Sequence, residues 1–296
     1  MMTIPASVRP PAVAGTFYPD DPANCRHEVQ NLMRQSQPND MSHPWVGALL
    51  PHAGWICSGQ VAADGINALA RSAGNVDIVV IFGAVHTVGG MDYAALDEHQ
   101  RWSVPTGMSE VAMDLQRQLL AASPNFRLNP RAHMREHAIE VNLPFVQQAF
   151  PNAVFLPIEV PPIAVAAQIG RQTARIIRES GKHAVFLASS DLTHYGPNYD
   201  FTPAGLGLQG IDWAMDNDRR VLDLIQRMEI DRVVDETQRN FNACGGGAIA
   251  ATLAACHEMG SQQVRILRHT NSYETLLRVA PQRPDNSVGY AAVLLG

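Results

Sequence analysis

Apolar residues along the chain fall into two patterns. Short uninterrupted runs at 46–50, 78–82, 153–158 and 184–188 have the length and branched-aliphatic content of strands buried on both faces. Between them lie stretches with apolar residues three and four apart, at 25–34, 59–70, 109–121, 137–150, 163–179, 210–228 and 246–257, which predict helices. A weaker strand candidate covers 93–96, and strands at 264–269 and 287–295 close the chain. Ser109 is placed to cap the helix at 109–121. Pro144 falls inside 137–150, either in its first turns or as a kink. Strands alternating with helices predict an α/β fold with a mostly parallel central sheet flanked by helices. A polar, proline-containing stretch at 35–44 leads into the first buried strand, and no Gly/Ser-rich linker divides the chain. All 296 residues are therefore read as a single domain.

Three of the apolar runs end alike. Pro51-His52-Ala53-Gly54, Gly83-Ala84-Val85-His86 and Ser189-Ser190-Asp191-Leu192-Thr193-His194 each follow a buried run with small or turn-forming residues and a histidine. In an open α/β sheet, ligands gather beyond the carboxyl ends of the strands. A single histidine there more often caps a loop or bonds a carbonyl, but three at equivalent places point to one convergent metal or acid–base site. Asp191 and His194 lie three residues apart. Either the carboxylate orients the imidazole for proton transfer, or Asp191 makes a turn and His194 is a plain loop residue. Cys244, in Asn242-Ala243-Cys244-Gly245-Gly246-Gly247, precedes an Ala-rich helix whose N-terminus favours a thiolate; the alternative is a small buried hydrophobe. Glu136-His137-Ala138-Ile139-Glu140 sets His137 and Glu140 on adjoining turns of the helix at 137–150 and is not an HExxH motif. Trp55 and Tyr195, beside two of the histidine motifs, are candidates to contact a ligand together with His137. No GxSxG elbow surrounds Ser189 or Ser190, so neither is read as a nucleophile.

Composition narrows the classes. The chain is 46% hydrophobic and 17% charged, as in ordinary globular proteins. A net charge of −6 spread without basic runs argues against nucleic acid or an anionic membrane surface as partner. No uninterrupted apolar stretch is long enough to span a bilayer, and residues 1–12 lack the pattern of a secretory signal. Cys25, Cys57, Cys244 and Cys256 form no CxxC pair, which fits reduced thiols and an expected cytoplasmic location.

Taken in order, several segments resemble the Memo family, also called the AmmeMemoRadiSam system protein B group. They run from Arg9-Pro10-Pro11-Ala12-Val13-Ala14-Gly15-Thr16-Phe17-Tyr18-Pro19 and Pro51-His52-Ala53-Gly54-Trp55 through Trp102-Ser103-Val104-Pro105-Thr106-Gly107 and 136–145 to 189–195, Cys244-Gly245 and Ser287-Val288-Gly289-Tyr290-Ala291. The resemblance implies a fold similar to class III extradiol dioxygenases. It implies a metal pocket in which His52, His86 and Cys244 are the ligands and His194, with Asp191 beside it, handles protons. Iron(II) is the first expectation for the metal. The two-His, one-Cys set departs from the two histidines and a carboxylate of the ring-cleaving enzymes, and also suits copper or zinc. Implied functions are a metal-dependent oxidoreductase acting on a small molecule, or a scaffold that uses the same pocket for a peptide or partner protein. The group name further implies association with a radical SAM protein and an AMMECR-type protein. No CxxxCxxC motif occurs in this chain, so radical chemistry would belong to that partner.

Overall fold

In the computed structural model, which describes residues 7–36 and 43–296, the uninterrupted apolar runs become strands with every residue buried. The stretch at 35–44 and the start of the N-terminal segment fall largely outside the described residues. Gly47–Leu50 pairs in parallel with Ala184–Ser189, which pairs in parallel with Ile78–Gly83. The three strands that carry the histidine motifs are thus immediate neighbours, and their carboxyl ends lie side by side. Val154–Glu159 continues the parallel block beyond Ile78–Gly83.

The flanks of this nine-stranded sheet run otherwise. Ala94–Leu96 joins Val154–Glu159 antiparallel and carries Phe126–Leu128 in parallel on its far side. At the opposite flank Ser287–Leu295 is antiparallel to Gly47–Leu50, and both Val264–Asn271 and His194–Tyr195 are antiparallel to it. The sheet is therefore mixed, which corrects the mostly parallel expectation. A strand buried on both faces is apolar throughout whichever way it runs, so its pattern carries no record of direction. A second, three-stranded sheet pairs Val8–Arg9 with Arg101–Val104, which makes a hairpin with Gly107–Glu110.

Alternate residues of each central strand face opposite cores. Ile78, Val80 and Phe82 pack in one cluster with the helices Ala166–Glu179 and Gly246–Glu258. Val79 and Ile81 pack in the other with the helix Trp55–Ala73. Truncating a fully buried ring such as Phe82 or Phe186 to alanine would cost roughly 3–5 kcal/mol. The helices Ala166–Glu179 and Gly246–Glu258 touch at their backbones, because a Cβ on Gly170 would stand 1.9 Å from the Ala251 carbonyl oxygen.

Local chemistry sets several boundaries. Asp21 caps the first helix, Pro22–Gln35, by accepting from the Ala23 and Asn24 amides, with Pro22 in the first turn. Ser109 is not a cap: it lies in the strand Gly107–Glu110, and the helix begins later, at Met113–Ala122. The helix expected at 137–150 is only Leu143–Ala149, with Pro144 in its first turn where a missing amide costs nothing. A single 3-10 turn, Glu140–Asn142, precedes it. His137 consequently sits on a loop rather than on a helix.

Candidate metal centre

His52 and His86 follow neighbouring strands, and the two rings meet edge-to-face with centroids 5.1 Å apart. The ring of His137 stacks on His86 at 4.6 Å and meets His52 at 5.2 Å. One nitrogen from each of the three imidazoles falls within 4.8 Å of the other two. Three imidazoles this close, on elements joined by long stretches of chain, form a cluster able to hold a metal ion.

Each ring is oriented by a hydrogen bond on its outer nitrogen. Ser189, the last residue of its strand, donates its only hydroxyl proton to the Ala138 carbonyl and accepts from Asn142 Nδ2 at 3.0 Å. Its oxygen therefore meets His52 Nδ1, 3.0 Å away, as an acceptor, which assigns the His52 proton to Nδ1. The Nε2 lone pair is left facing Cys244 Sγ at 3.2 Å. Burial, then the neighbouring His86 and His137, pushes the His52 pKa well down, so the ring is neutral as a ligand must be.

Glu136 does the same for His86. Its buried carboxylate accepts from His86 Nδ1 at 2.8 Å and from the His86 amide at 2.6 Å, and also from the amides of His137 and Ala138. Burial alone would raise the Glu136 pKa, but the hydrogen bonds and charge of His86 hold it down at about 2. Burial likewise opposes charge on His86, yet its bonds to Cys244 and Glu136 raise it to about 10. His137 is held near about 4, first by burial and then by His86.

Cys244 arrives from the other side, two residues ahead of the helix Gly246–Glu258. Its amide donates to the Asp191 carbonyl at 3.2 Å. The glycines behind it permit this approach, since a Cβ on Gly246 would stand 2.0 Å from Thr237 Oγ1 and one on Gly247 2.0 Å from the Pro161 carbonyl oxygen. Asp191 is buried, and Oδ1 accepts from the His52 backbone amide at 2.8 Å. It fixes the His52 loop, while His194 is oriented through Nδ1 by the Leu192 carbonyl at 3.0 Å. The expected Asp191–His194 pair is thus two neighbours bonded to different partners: a carboxylate in a tight turn satisfies the nearest amide first.

Two expected ligand contacts are core residues instead. Trp55 is buried between Tyr18 and Phe145, and its indole N–H donates to the Val141 carbonyl. Tyr195 is fully buried with its hydroxyl donating to the Gly205 carbonyl. Both packed aromatics have already spent their polar atom on the main chain. His137 does line a cavity of ≈ 740 Å³ beside the cluster, together with Asp191, His194 and Cys57. Cys57 lies in the first turn of the helix Trp55–Ala73, which begins ahead of the expected 59–70.

Sequence reasoning passed over Glu136, Ser189 and Asn142 as working residues. Glu136 had a visible signal in standing next to His137, but an acidic residue there reads equally well as a solvated helix face. The Arg9 segment proves to be a brace. Fully buried Arg9 pairs with Glu140 at 2.7 Å and donates to the Glu136 carbonyl at 2.6 Å, while Glu140 also accepts from Tyr18 and the amides of Ala12 and Val13.

Fold and site together define an α/β protein whose central strands deliver a histidine cluster, with a cysteine beside it, to the carboxyl edge of the sheet. The family model described as Memo-like protein matches residues 9–294, and the chain belongs to that family. A MEMO1 family protein of Methanococcoides burtonii is 31% identical over 296 residues, covering 97% of this chain and 100% of its own. One of Metallosphaera sedula is 35% identical over 286 residues, covering 90% and 93%. Among solved structures, the uncharacterized protein JW3007 from Escherichia coli K12 aligns with a TM-score of 0.53 at 14% identity, covering 84% of this chain and 99% of that one. That likeness is one of fold. Among the described residues, no helix is long and apolar enough to cross a membrane.

Proposed function

We propose that this chain holds one transition-metal ion through His52, His86 and Cys244, with His137 alongside, and acts as a metal-dependent oxidoreductase on a small molecule. The observation that carries the reading is the convergence of imidazole nitrogens within 4.8 Å of one another, with a cysteine sulfur 3.2 Å from His52 Nε2. The donor set fits a metal in a second respect. The outer nitrogens of His52 and His86 are bonded to Ser189 and Glu136, the arrangement that fixes tautomers in histidine-ligated centres.

Nitrogen and thiolate donors suit iron(II), the metal proposed first, and also copper and zinc. A bound ion would supply a Lewis-acid or redox centre at the carboxyl edge of the sheet. The chain's own part is to orient the ligands, keep His52 dry and neutral, and handle protons. His194 is placed for the last task, because its Nδ1 is committed to the Leu192 carbonyl and Nε2 remains to exchange a proton at the cavity wall.

Anaerobic purification without chelators, followed by elemental analysis, tests the reading. Close to one metal per chain is expected, lost in His52→Ala, His86→Ala and Cys244→Ser. Protein that contains no metal and takes up neither iron(II), copper nor zinc would refute it. Metal-loaded protein that turns over no compound in an oxygen-uptake screen, yet captures a peptide through the same cavity, would replace the oxidoreductase by a binding role.

A further inference from the structure

Cys244 and His194 also belong to the wall of a second space. A cavity of ≈ 560 Å³, well within the range of small-molecule sites, lies beyond them, walled by Pro162, Tyr199, Phe201, Phe241 and Ala243. The cavity of ≈ 740 Å³ on the other side of His194 has a different character, with His137, Asp191, Asn198, Arg283 and Asp285 in its wall. His194 and Tyr199 line both. Arg283 has no ion-pair partner among the described residues.

Phe241 is the unusual member of the apolar wall. It ends the helix Val233–Asn240 in the left-handed conformation, φ 51°, ψ 34°, which glycine or asparagine adopts at far lower cost. Its ring is 64% exposed and meets Phe201 edge-to-face at 5.6 Å. The fold thus holds a phenyl ring in a strained position where it covers no core of its own and rims an empty apolar space. Backbone strain kept at such a place points to a ligand contact.

We propose that the ligand of this site is a small amphiphile, with a bulky apolar substituent seated against Phe241 and Phe201 and an anionic head on the Arg283 side of His194. The inference takes from the metal reading only the position of the reacting centre, between the two cavities. The preference for an amphiphile stands on the walls themselves.

Two fluorescent probes test it on metal-free, full-length protein: neutral N-phenyl-1-naphthylamine and anionic 8-anilinonaphthalene-1-sulfonate. Both should bind the wild type, the sulfonate more tightly. Phe241→Gly should weaken both at least fivefold while leaving the melting temperature unchanged or higher, because glycine relieves the positive φ. Arg283→Gln should weaken the sulfonate alone. If neither probe binds, if Phe241→Gly leaves both within twofold of wild type, or if the sulfonate has no advantage to lose, the proposal falls. Metal content measured on the same samples separates the two readings. Probe binding that responds to Phe241 in protein unable to take up metal would remove the metal and keep the amphiphile; a full metal complement with no probe response would do the reverse.

Discussion

Replacing Glu136 by glutamine removes one charge from beneath the cluster while keeping the shape of the side chain. The carboxylate accepts four hydrogen bonds: Oε1 from His86 Nδ1 at 2.8 Å and from the amides of His137 at 2.9 Å and Ala138 at 3.1 Å, and Oε2 from the His86 amide at 2.6 Å. Glutamine offers a single acceptor oxygen. With that oxygen in the Oε1 position, its NH2 group is pushed against the His86 amide, donor facing donor, and a buried N–H loses its partner at about 1–3 kcal/mol. At roughly 2–4 °C per kcal/mol for a domain somewhat smaller than this one, the melting temperature should fall by about 2–10 °C. Metal affinity should fall further than the fold does. His86 keeps a neutral partner but loses the anionic one that raises its basicity, and loss of such a partner typically costs about 10–100-fold in affinity. Competition against a chromophoric chelator, on Glu136→Gln protein shown to be folded by circular dichroism, gives the number. Wild-type affinity in a folded variant would show that Glu136 does not act through His86.

The same pair sets a pH dependence in metal-free protein. The depressed Glu136 pKa gives stability that is present above its ordinary 4.5 and lost as pH falls towards about 2. The raised His86 pKa gives stability complete below 6.5 and lost as pH rises through about 10. The gap in urea stability between wild type and Glu136→Gln should therefore be widest between pH 4.5 and 6.5, and a gap that widens steadily to pH 10 would contradict the assignment. Arg9→Met should destabilise by about 3–5 kcal/mol by leaving the Glu140 carboxylate buried and unpaired, and adding Glu140→Gln should restore part of the loss in a denaturant titration. Gly170→Ala should cost about 3 kcal/mol in the same titration, since its Cβ would meet the Ala251 carbonyl oxygen at 1.9 Å, where only backbone can yield.

Much of the site was legible because the strand runs and the histidines that follow them are local features. The runs at 46–50, 78–82 and 184–188 became adjacent parallel strands, and His52 and His86 met where such strands end. Direction in the flanking strands was not legible, for an apolar run buried on both faces looks the same either way. The loop that carries His137 was hidden by helical spacing that continues through it, although Pro144, in the first turn, marks where the helix can start. Trp55 and Tyr195 stood beside the right motifs, yet adjacency in sequence does not say whether a ring turns towards a cavity or into the core. Glu136, Ser189 and Asn142 are polar residues whose roles arise from partners distant in sequence, as with Asn142 Nδ2 reaching both the Pro51 carbonyl and Ser189 Oγ. No pattern within a short window reveals such a network.

The central claim is that His52, His86 and Cys244 hold one metal ion together. X-ray absorption at the edge of the resident metal, in wild type and Cys244→Ser, tests it most directly. The expected wild-type spectrum shows imidazole nitrogens and one sulfur at about 2.3 Å, with the sulfur shell absent in the variant and the outer-ring imidazole scattering weakened in His52→Ala and His86→Ala. A first shell of nitrogen and oxygen alone in the wild type, unchanged by loss of Cys244, would leave that cysteine a neighbour of the centre and contradict the ligand set.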